Sequence, residues 1–536
     1  MGTHFLTTSN PVKSRSLVSN SAWNYAGAAV LLIITFVTIP LYLHALGLER
    51  YGVLAILTAI LAPITVLNVG VTQATVKFVA SHVAANEPAR ARESVAASFT
   101  INLGIGLMGA VFCACAAGFL SRFGFKIPPE MQIEAEASLR LVGLQWLFSL
   151  IGGNFRGVIE GLRDQRRVFF GDILNAILTA GLCLGFALYT RNLTGYLTGQ
   201  LIATVIMSCY WWRQAVFALQ GLPLGWVAAR RGLRQVYGYS FWQTINAMVA
   251  VLANVGDKFF IGIFLSALTL GAYNVVLRVQ AVARMSFYSV NQALFPAASA
   301  ATSRPGESEA LVVAATWHVS LFGGVGLAMV TVCGPAFLEL WVGNGVAQEA
   351  GLPLRVLILT LLFEIPSATG SSYLNAHSLV RLTTFNNTAT TVLTLLLIFT
   401  LGFSFGATGV AMGGLIGLAL TRIPFHAWMH RRYFAAYVNR KDFLRAFYGV
   451  GFCCSAGALA LCPVFDMIFA WRPRIDGFIL AFVGSAPLLL ILILSGIRFI
   501  LDDRLRMREF CLGVESRQIW LLSSGLGRWA RRFLPT

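Results

Sequence analysis

IPLYLHALGLERYGV, residues 39–53, and IGIFLSALTLGAYNV, residues 261–275, read as one signal written twice. A shift of 222 residues lays Ile39, Leu43, Ala45, Leu46, Leu48, Tyr51 and Val53 on Ile261, Leu265, Ala267, Leu268, Leu270, Tyr273 and Val275. Leu, Ala and Val coincide easily in apolar sequence, so the shared tyrosine and the shared position at a helix–helix turn carry the match. Counting outward from the two windows, six apolar runs separate the copies. An even number of crossings makes both copies run the same way through a membrane, as in two halves related by an axis along its normal.

That the surroundings are lipid follows from composition. With 57% hydrophobic residues, 12% charged and a mean hydropathy of +0.72, 536 residues have too little polar surface to solvate a globule. Only a helix satisfies its own backbone over a run long enough to cross a hydrocarbon core of roughly 30 Å. The expected class is therefore an all-α, polytopic membrane protein with about fourteen spans, at 23–46, 51–75, 95–120, 137–161, 168–189, 195–218, 237–265, 270–297, 310–333, 351–376, 383–402, 407–428, 443–465 and 477–500. The first run is too long for a signal-peptide core and reads as a retained helix. These runs group into a six-helix bundle over 1–218, a basic linker over 219–235, a second six-helix bundle over 236–428, accessory helices over 429–500 and a basic tail over 501–536. The accessory pair reads as lipid-facing, and the tail, mixing Trp520, Trp529 and Phe533 with Arg528, Arg531 and Arg532, as an interfacial helix.

The formal charge of +18 would suit nucleic acid if it were spread over a surface, but it is concentrated in alternate connections. Arg163, Arg166 and Arg167, then Arg230, Arg231 and Arg234, then Arg431, Arg432, Arg440 and Lys441 fall on one side with the tail; Arg50, Arg122, Lys126, Arg191, Arg472 and Arg474 fall on the other. That bias places both termini in the cytoplasm, with anionic phospholipids as the partner of the charge and no nucleic acid. No phosphate-binding loop, HExxH, GxSxG or metal-spaced His/Cys cluster occurs, so neither an enzyme nor a bound cofactor is expected. The outward connections are too short for the catalytic loop of a membrane glycosyltransferase or polymerase.

Polar residues at helical spacing mark faces that meet protein or water rather than lipid. Asn20 and Asn24 on the first helix, Asn68 on the second, Gln145 on the fourth, Gln243 and Asn246 on the seventh, and Asn274 and Gln280 on the eighth form such stripes. Interhelical hydrogen bonding explains them as well as a cavity does. Charge discriminates better, because Asp257, Lys258, Arg278 and Arg284 would together cost roughly 10–14 kcal/mol facing lipid. Asp257 is expected to pair with one arginine of the eighth helix. Taking Arg156, Lys258, Arg278, Arg284 and Arg355 against Glu160, Asp257 and Glu364 leaves an excess of two positive charges, which suits an anionic head group. Glu160, Asp257 and Glu364 are the candidates for charge pairing or for coupling to a H+ or Na+ gradient.

SLVSNSAWNYAG, IPLYLHALGLERYGVLAI and VLNVGVTQATVKFVA in the first half, with LANVGDKFFIGIFLSALTLGAYNVVLRV, ALFPAAS and FLELWVGNGVAQEAGLPLRVLIL in the second, resemble the polysaccharide-transporter branch of the multidrug/oligosaccharidyl-lipid/polysaccharide (MOP) exporter superfamily. The resemblance covers nearly the whole chain. It implies a MATE-like fold of two six-helix bundles with two further helices. It also implies the work of the Wzx-type O-antigen flippases: carriage of an undecaprenyl-pyrophosphate-linked oligosaccharide to the periplasmic face for O-antigen, lipopolysaccharide or exopolysaccharide synthesis, with polymerase and chain-length proteins as further partners. Asp257 and Lys258 match the family's acidic–basic pair near the end of the seventh helix; Arg284 and Glu364 match no fixed family position. The SRVLGFVRD-like opening of the lipid II flippase branch is absent, which argues against a peptidoglycan precursor as cargo. A drug or cation antiporter on the same fold is the alternative, and acidic rather than cationic cavity walls would mark it.

Overall fold

A computed structural model describes residues 17–85, 87–162, 164–218, 248, 251–253, 255–301, 306–471, 475, 478, 479, 482 and 483. Every regular element among them is helical. Close contacts divide the chain into two compact units, Met1–Val251 and Leu252–Thr536.

Unit 1 holds α1 (Leu17–Leu46), α2 (Leu48–Ala84), α3 (Pro88–Phe119), α4 (Gln132–Gly161), α5 (Gln165–Thr190) and α6 (Leu193–Ala218). The chain turns by 114° between α1 and α2 at Gly47, whose φ of 82° suits a residue without Cβ. Pro88 opens α3 with its φ already helical, and Asp164 caps α5 by accepting the Arg167 N–H at 3.2 Å. Asn192 does the same for α6, accepting the Gly195 N–H at 2.8 Å. Inside the unit, glycines let helices approach where no side chain would fit. A Cβ on Gly143 would lie 2.7 Å from the Cβ of Cys113, and one on Gly199 would lie 2.5 Å from the Leu182 carbonyl oxygen. Leu107, Met108, Val111 and Phe112 of α3 are exposed at helical spacing, the pattern of a face meant for lipid.

Unit 2 holds α7 (255–264), α8 (Ala267–Ala301), α9 (Glu307–Val342), α10 (Asn344–Ala376), α11 (Val380–Met429), the short α12 (Arg440–Leu444) and α13 (Val450–Trp471). α11 is a hairpin: at Gly406, with φ 59° and ψ −140°, the chain leaves helical geometry and reverses, giving arms 380–405 and 407–429. The Thr390 hydroxyl donates to Thr421 at 2.9 Å and Arg422 donates to Asn387 at 2.9 Å across the arms. Between α11 and α13 the chain buries Phe434, Phe443, Phe447 and Tyr448 against α8, α9 and α10, while Arg431, Arg432, Arg440 and Lys441 stay exposed.

Both sequence copies fall on a helix–turn–helix, at Gly47 between α1 and α2 and at 265–266 between α7 and α8. Ile39, Tyr51 and Val53, like Ile261, Tyr273 and Val275, are buried in their own units. The all-helical membrane class is confirmed. By length and apolarity six described helices can cross a membrane, or up to seven if the bent α1–α2 pair is one span, and the folded α11 is counted once among them. The count of fourteen is thus not reached on these criteria, and most of the expected span 477–500 lies outside the described residues. Helices also outrun the apolar windows. α2 and α3 extend to Ala84 and begin at Pro88, because backbone hydrogen bonding continues past the hydrocarbon into segments carrying Lys77, Arg90 and Arg92.

α13 has two faces: Cys454, Ala458, Leu461, Cys462, Phe465 and Phe469 are buried against α9 residues Ala328, Val332, Cys333 and Ala336, while Phe452, Leu459, Val464 and Met467 are exposed.

Candidate functional site

The candidate site of unit 1 is centred on Arg156 of α4. Its guanidinium grips Asp172 of α5 with Nε at 2.9 Å and Nη2 at 2.8 Å, and Nη1 reaches Glu160, one turn on, at 3.1 Å. Two acids hold one cation, in the fork geometry that a phosphate would also accept. Gln145 is partly buried on the same helix. The side chains of Asn20, Asn24 and Asn68 lie outside the described residues, as do Gln243 and Asn246 entirely.

Unit 2 holds two groups of charges. In the first, Asp257 accepts the backbone N–H of Lys258 at 2.8 Å and sits beside the buried Tyr273, while Lys258 has both Asp257 and Arg278 within electrostatic reach. Arg278 is exposed, and among the described residues it has no ion-paired acid. In the second, Arg284 of α8 meets Glu364 of α10, with Nε 2.8 Å from Oε2 and Nη2 donating to Oε1 at 3.0 Å. Arg422, from the second arm of α11, lies within electrostatic reach of the same carboxylate. Arg284 is therefore the α8 arginine that finds an acid, and the acid is Glu364 rather than Asp257. Six residues, about 1.7 turns, separate Arg278 from Arg284, so they leave α8 on different faces, and it is Arg284 that meets α10. Asn274 is buried, and Gln280 donates to the Leu357 carbonyl at 3.0 Å and to Thr360 Oγ1 at 2.8 Å, fastening α8 to α10.

Arg355 leaves the tally of cavity cations. Its Nη2 donates to both oxygens of Asp466 on α13, at 2.6 and 2.8 Å, and its Nε donates to the Thr331 carbonyl at 3.1 Å. That carbonyl stands four residues before Pro335, whose missing N–H leaves it without a helical partner. Adding Asp172 and Asp466 to the acids and Arg422 to the cations makes six cations against five carboxylates, so the expected excess of two falls to one. Neither acid could be matched to its arginine from sequence, because the pairs span 16 and 111 positions and no helical spacing relates them. Arg422 was not among the sequence candidates, because nothing in its own arm relates it to Glu364 on α10. What stays positive is local: Lys258 and Arg278 with Asp257, and Arg284 and Arg422 with Glu364.

The fold, all-helical with ion pairs set among long apolar helices, is similar to that of solved transporters of the MOP superfamily. The chain superposes on a structure described as lipid II flippase MurJ in an inward closed conformation, with TM-score 0.68, 13% identity, and coverage of 91% of this chain and 99% of that one. An inward-facing multidrug resistance MATE family transporter aligns with TM-score 0.64 and 16% identity over 76% and 94% of the two chains. A model for the polysaccharide biosynthesis protein family matches residues 45–345, and the chain belongs to that family. A Shigella flexneri protein described as "Putative O-antigen transporter" is 19% identical over 433 residues, 79% of this chain and all of its own. The resemblance read from the sequence is confirmed at the level of family and fold.

Proposed function

We propose that this chain is a flippase. It takes an undecaprenyl-pyrophosphate-linked oligosaccharide, the repeat unit of a surface polysaccharide, from the cytoplasmic to the periplasmic leaflet of a bacterial inner membrane by alternating access. The bundles 1–218 and 236–428 rock against each other, 429–500 are accessory, and both termini with the basic tail 501–536 remain cytoplasmic against anionic phospholipids. A polymerase on the far side would consume the product. The observation that carries the reading is the family match over 45–345. It is supported by Lys258 and Arg278, two neighbouring cations facing a single acid in a segment where lipid would reject them. Arg284 and Arg156 are held by carboxylates, so an arriving pyrophosphate would have to replace Glu364, Asp172 or Glu160 as their partner.

Arg278 is the cleaner probe, since its removal leaves no ion-paired acid behind. Arg278→Ala at normal protein level should abolish surface polymer and accumulate the lipid-linked intermediate on the cytoplasmic leaflet, with Arg278→Lys partly restoring it. Unchanged polymer would remove Arg278 from the mechanism. Uptake of organic cations by reconstituted protein, with no lipid translocation, would replace the flippase by an antiporter.

A further inference from the structure

The core of unit 1 contains polar side chains that the candidate site does not use. Asn102 of α3 and Asn154 of α4 are fully buried, as is Ser98, one turn before Asn102. Both amide atoms of Asn102, the Asn154 Nδ2 and the Ser98 hydroxyl have no hydrogen-bond partner. Asn154 Oδ1 accepts from Thr75 of α2 at 3.3 Å, but the same hydroxyl hydrogen is aimed at the Val71 carbonyl at 3.0 Å.

The packing of α3 on α4 shows that these groups share one level. Gly109 stands against Trp146, Gly106 against Leu147 and Leu150, and the rings of Phe99 and Phe155 are 5.8 Å apart. Continuing that antiparallel register places Asn102 opposite Asn154, with Thr75 closing the third side, since a Cβ on Gly157 would touch both Thr72 and Thr75.

Buried amides without partners cost about 1–3 kcal/mol apiece in proteins, so a core that keeps several of them at one level has something there to bind. The atoms select what it is. Asn102 presents a donor and an acceptor together, Asn154 presents donors, and Ser98 can do either. Turning the Asn102 amide over changes nothing, because both ends are unpaired. A cation would serve only the oxygens and an anion only the N–H groups. A group that both donates and accepts serves both, and water is the smallest that does, which suits a fully buried level between three helices.

We infer that the α2–α3–α4 core of unit 1 is a built water site, in which at least one internal water bridges Asn102 and Asn154 and takes in Ser98. It holds three helices together through an exchangeable partner in a region otherwise packed by Val71, Ala74, Phe78 and Ala97.

The test is the sign of a near-isosteric substitution. If the level is wet, Asn102→Leu and Asn154→Leu each expel the water and strand the partners that remain. The apparent Tm of purified protein in detergent then falls for each, and falls for the double variant by less than the sum. An unchanged or raised Tm for Asn102→Leu would mean the amide sat dry, and would overturn the inference. The thermal scans are repeated with Na+ replaced by K+ and by choline. A Tm raised specifically by Na+ in the wild type and insensitive to it in Asn102→Leu would assign a cation instead and equally overturn the proposal. Should either variant fail to fold, a high-resolution map of the wild-type chain decides. Density within hydrogen-bond reach of both amides supports the site, and its absence refutes it.

Discussion

Replacing Asp466 by Leu removes the carboxylate that holds Arg355, and the cost can be worked from the geometry. The Arg355 side chain is 17% exposed and donates twice to Asp466 and once to the Thr331 carbonyl. In Asp466→Leu only the Thr331 bond survives, and a largely buried guanidinium is left without an anion. Breaking a well-buried pair costs about 3–5 kcal/mol, but Asp466 is 46% exposed, which brings the expectation to roughly 2–3 kcal/mol. Removing both charges in Arg355→Met with Asp466→Leu should recover about 1–2 kcal/mol of that, since no lone charge remains. Full recovery should require Pro335→Ala as well, because only then does the Thr331 carbonyl regain a helical N–H. The assay is reversible unfolding of the purified chain in mixed micelles by titration with SDS, run as a double-mutant cycle with the proline variant as a third axis. A loss below about 0.5 kcal/mol for Asp466→Leu, or strictly additive single and double variants, would refute the claim that this pair fastens α13 to the bend of α9.

Two further outcomes follow from the same structure. Gly413→Leu places a side chain where a Cβ already lies 2.7 Å from the Ile398 backbone nitrogen, so the arms of α11 must part. Cysteines introduced at Thr390 and Thr421, whose hydroxyls are 2.9 Å apart, should then cross-link much more slowly than in the parent. Exchanging the partners of the α8–α10 pair, with Arg284→Glu and Glu364→Arg together, should keep more of the folded protein than either single change. Each single variant brings two like charges together where the wild type has an ion pair at 2.8 Å, and expression followed by size-exclusion chromatography would reveal the difference.

The sequence carried the architecture because lipid imposes a blunt rule. Runs such as 95–120 and 383–402 must be helices, and the repeated Tyr51 and Tyr273 locate equivalent turns. Connections with an even simpler rule were legible too: Gly406 falls inside the expected gap between the eleventh and twelfth spans. Pairings were not legible. Arg156 with Asp172, Arg284 with Glu364 and Arg355 with Asp466 depend on which helices are neighbours and how each is rotated, which no single helix's periodicity contains. Asn102 and Asn154 were missed for a related reason. Asn154 stands off the helix face that Arg156 and Glu160 mark, Asn102 belongs to no polar stripe read from the sequence, and only the α3–α4 register brings them level. The accessory helix was read as peripheral because its one acid, Asp466, is unremarkable until Pro335 is seen to orphan a carbonyl nearby.

The reversal at Gly406 also bears on how the chain is made. The two arms are joined without a spacer, and they touch along the lengths marked by Ile398 with Gly413 and by Thr390 with Thr421. The first arm therefore has no stretch of chain on which to wait outside the bilayer while the second is synthesised. The expected route into the bilayer is therefore both arms together, as one helical pair packed through its glycines. For the same reason this connection offers no place for an epitope or a fluorescent reporter, and length changes there would be felt along both arms rather than absorbed at the surface.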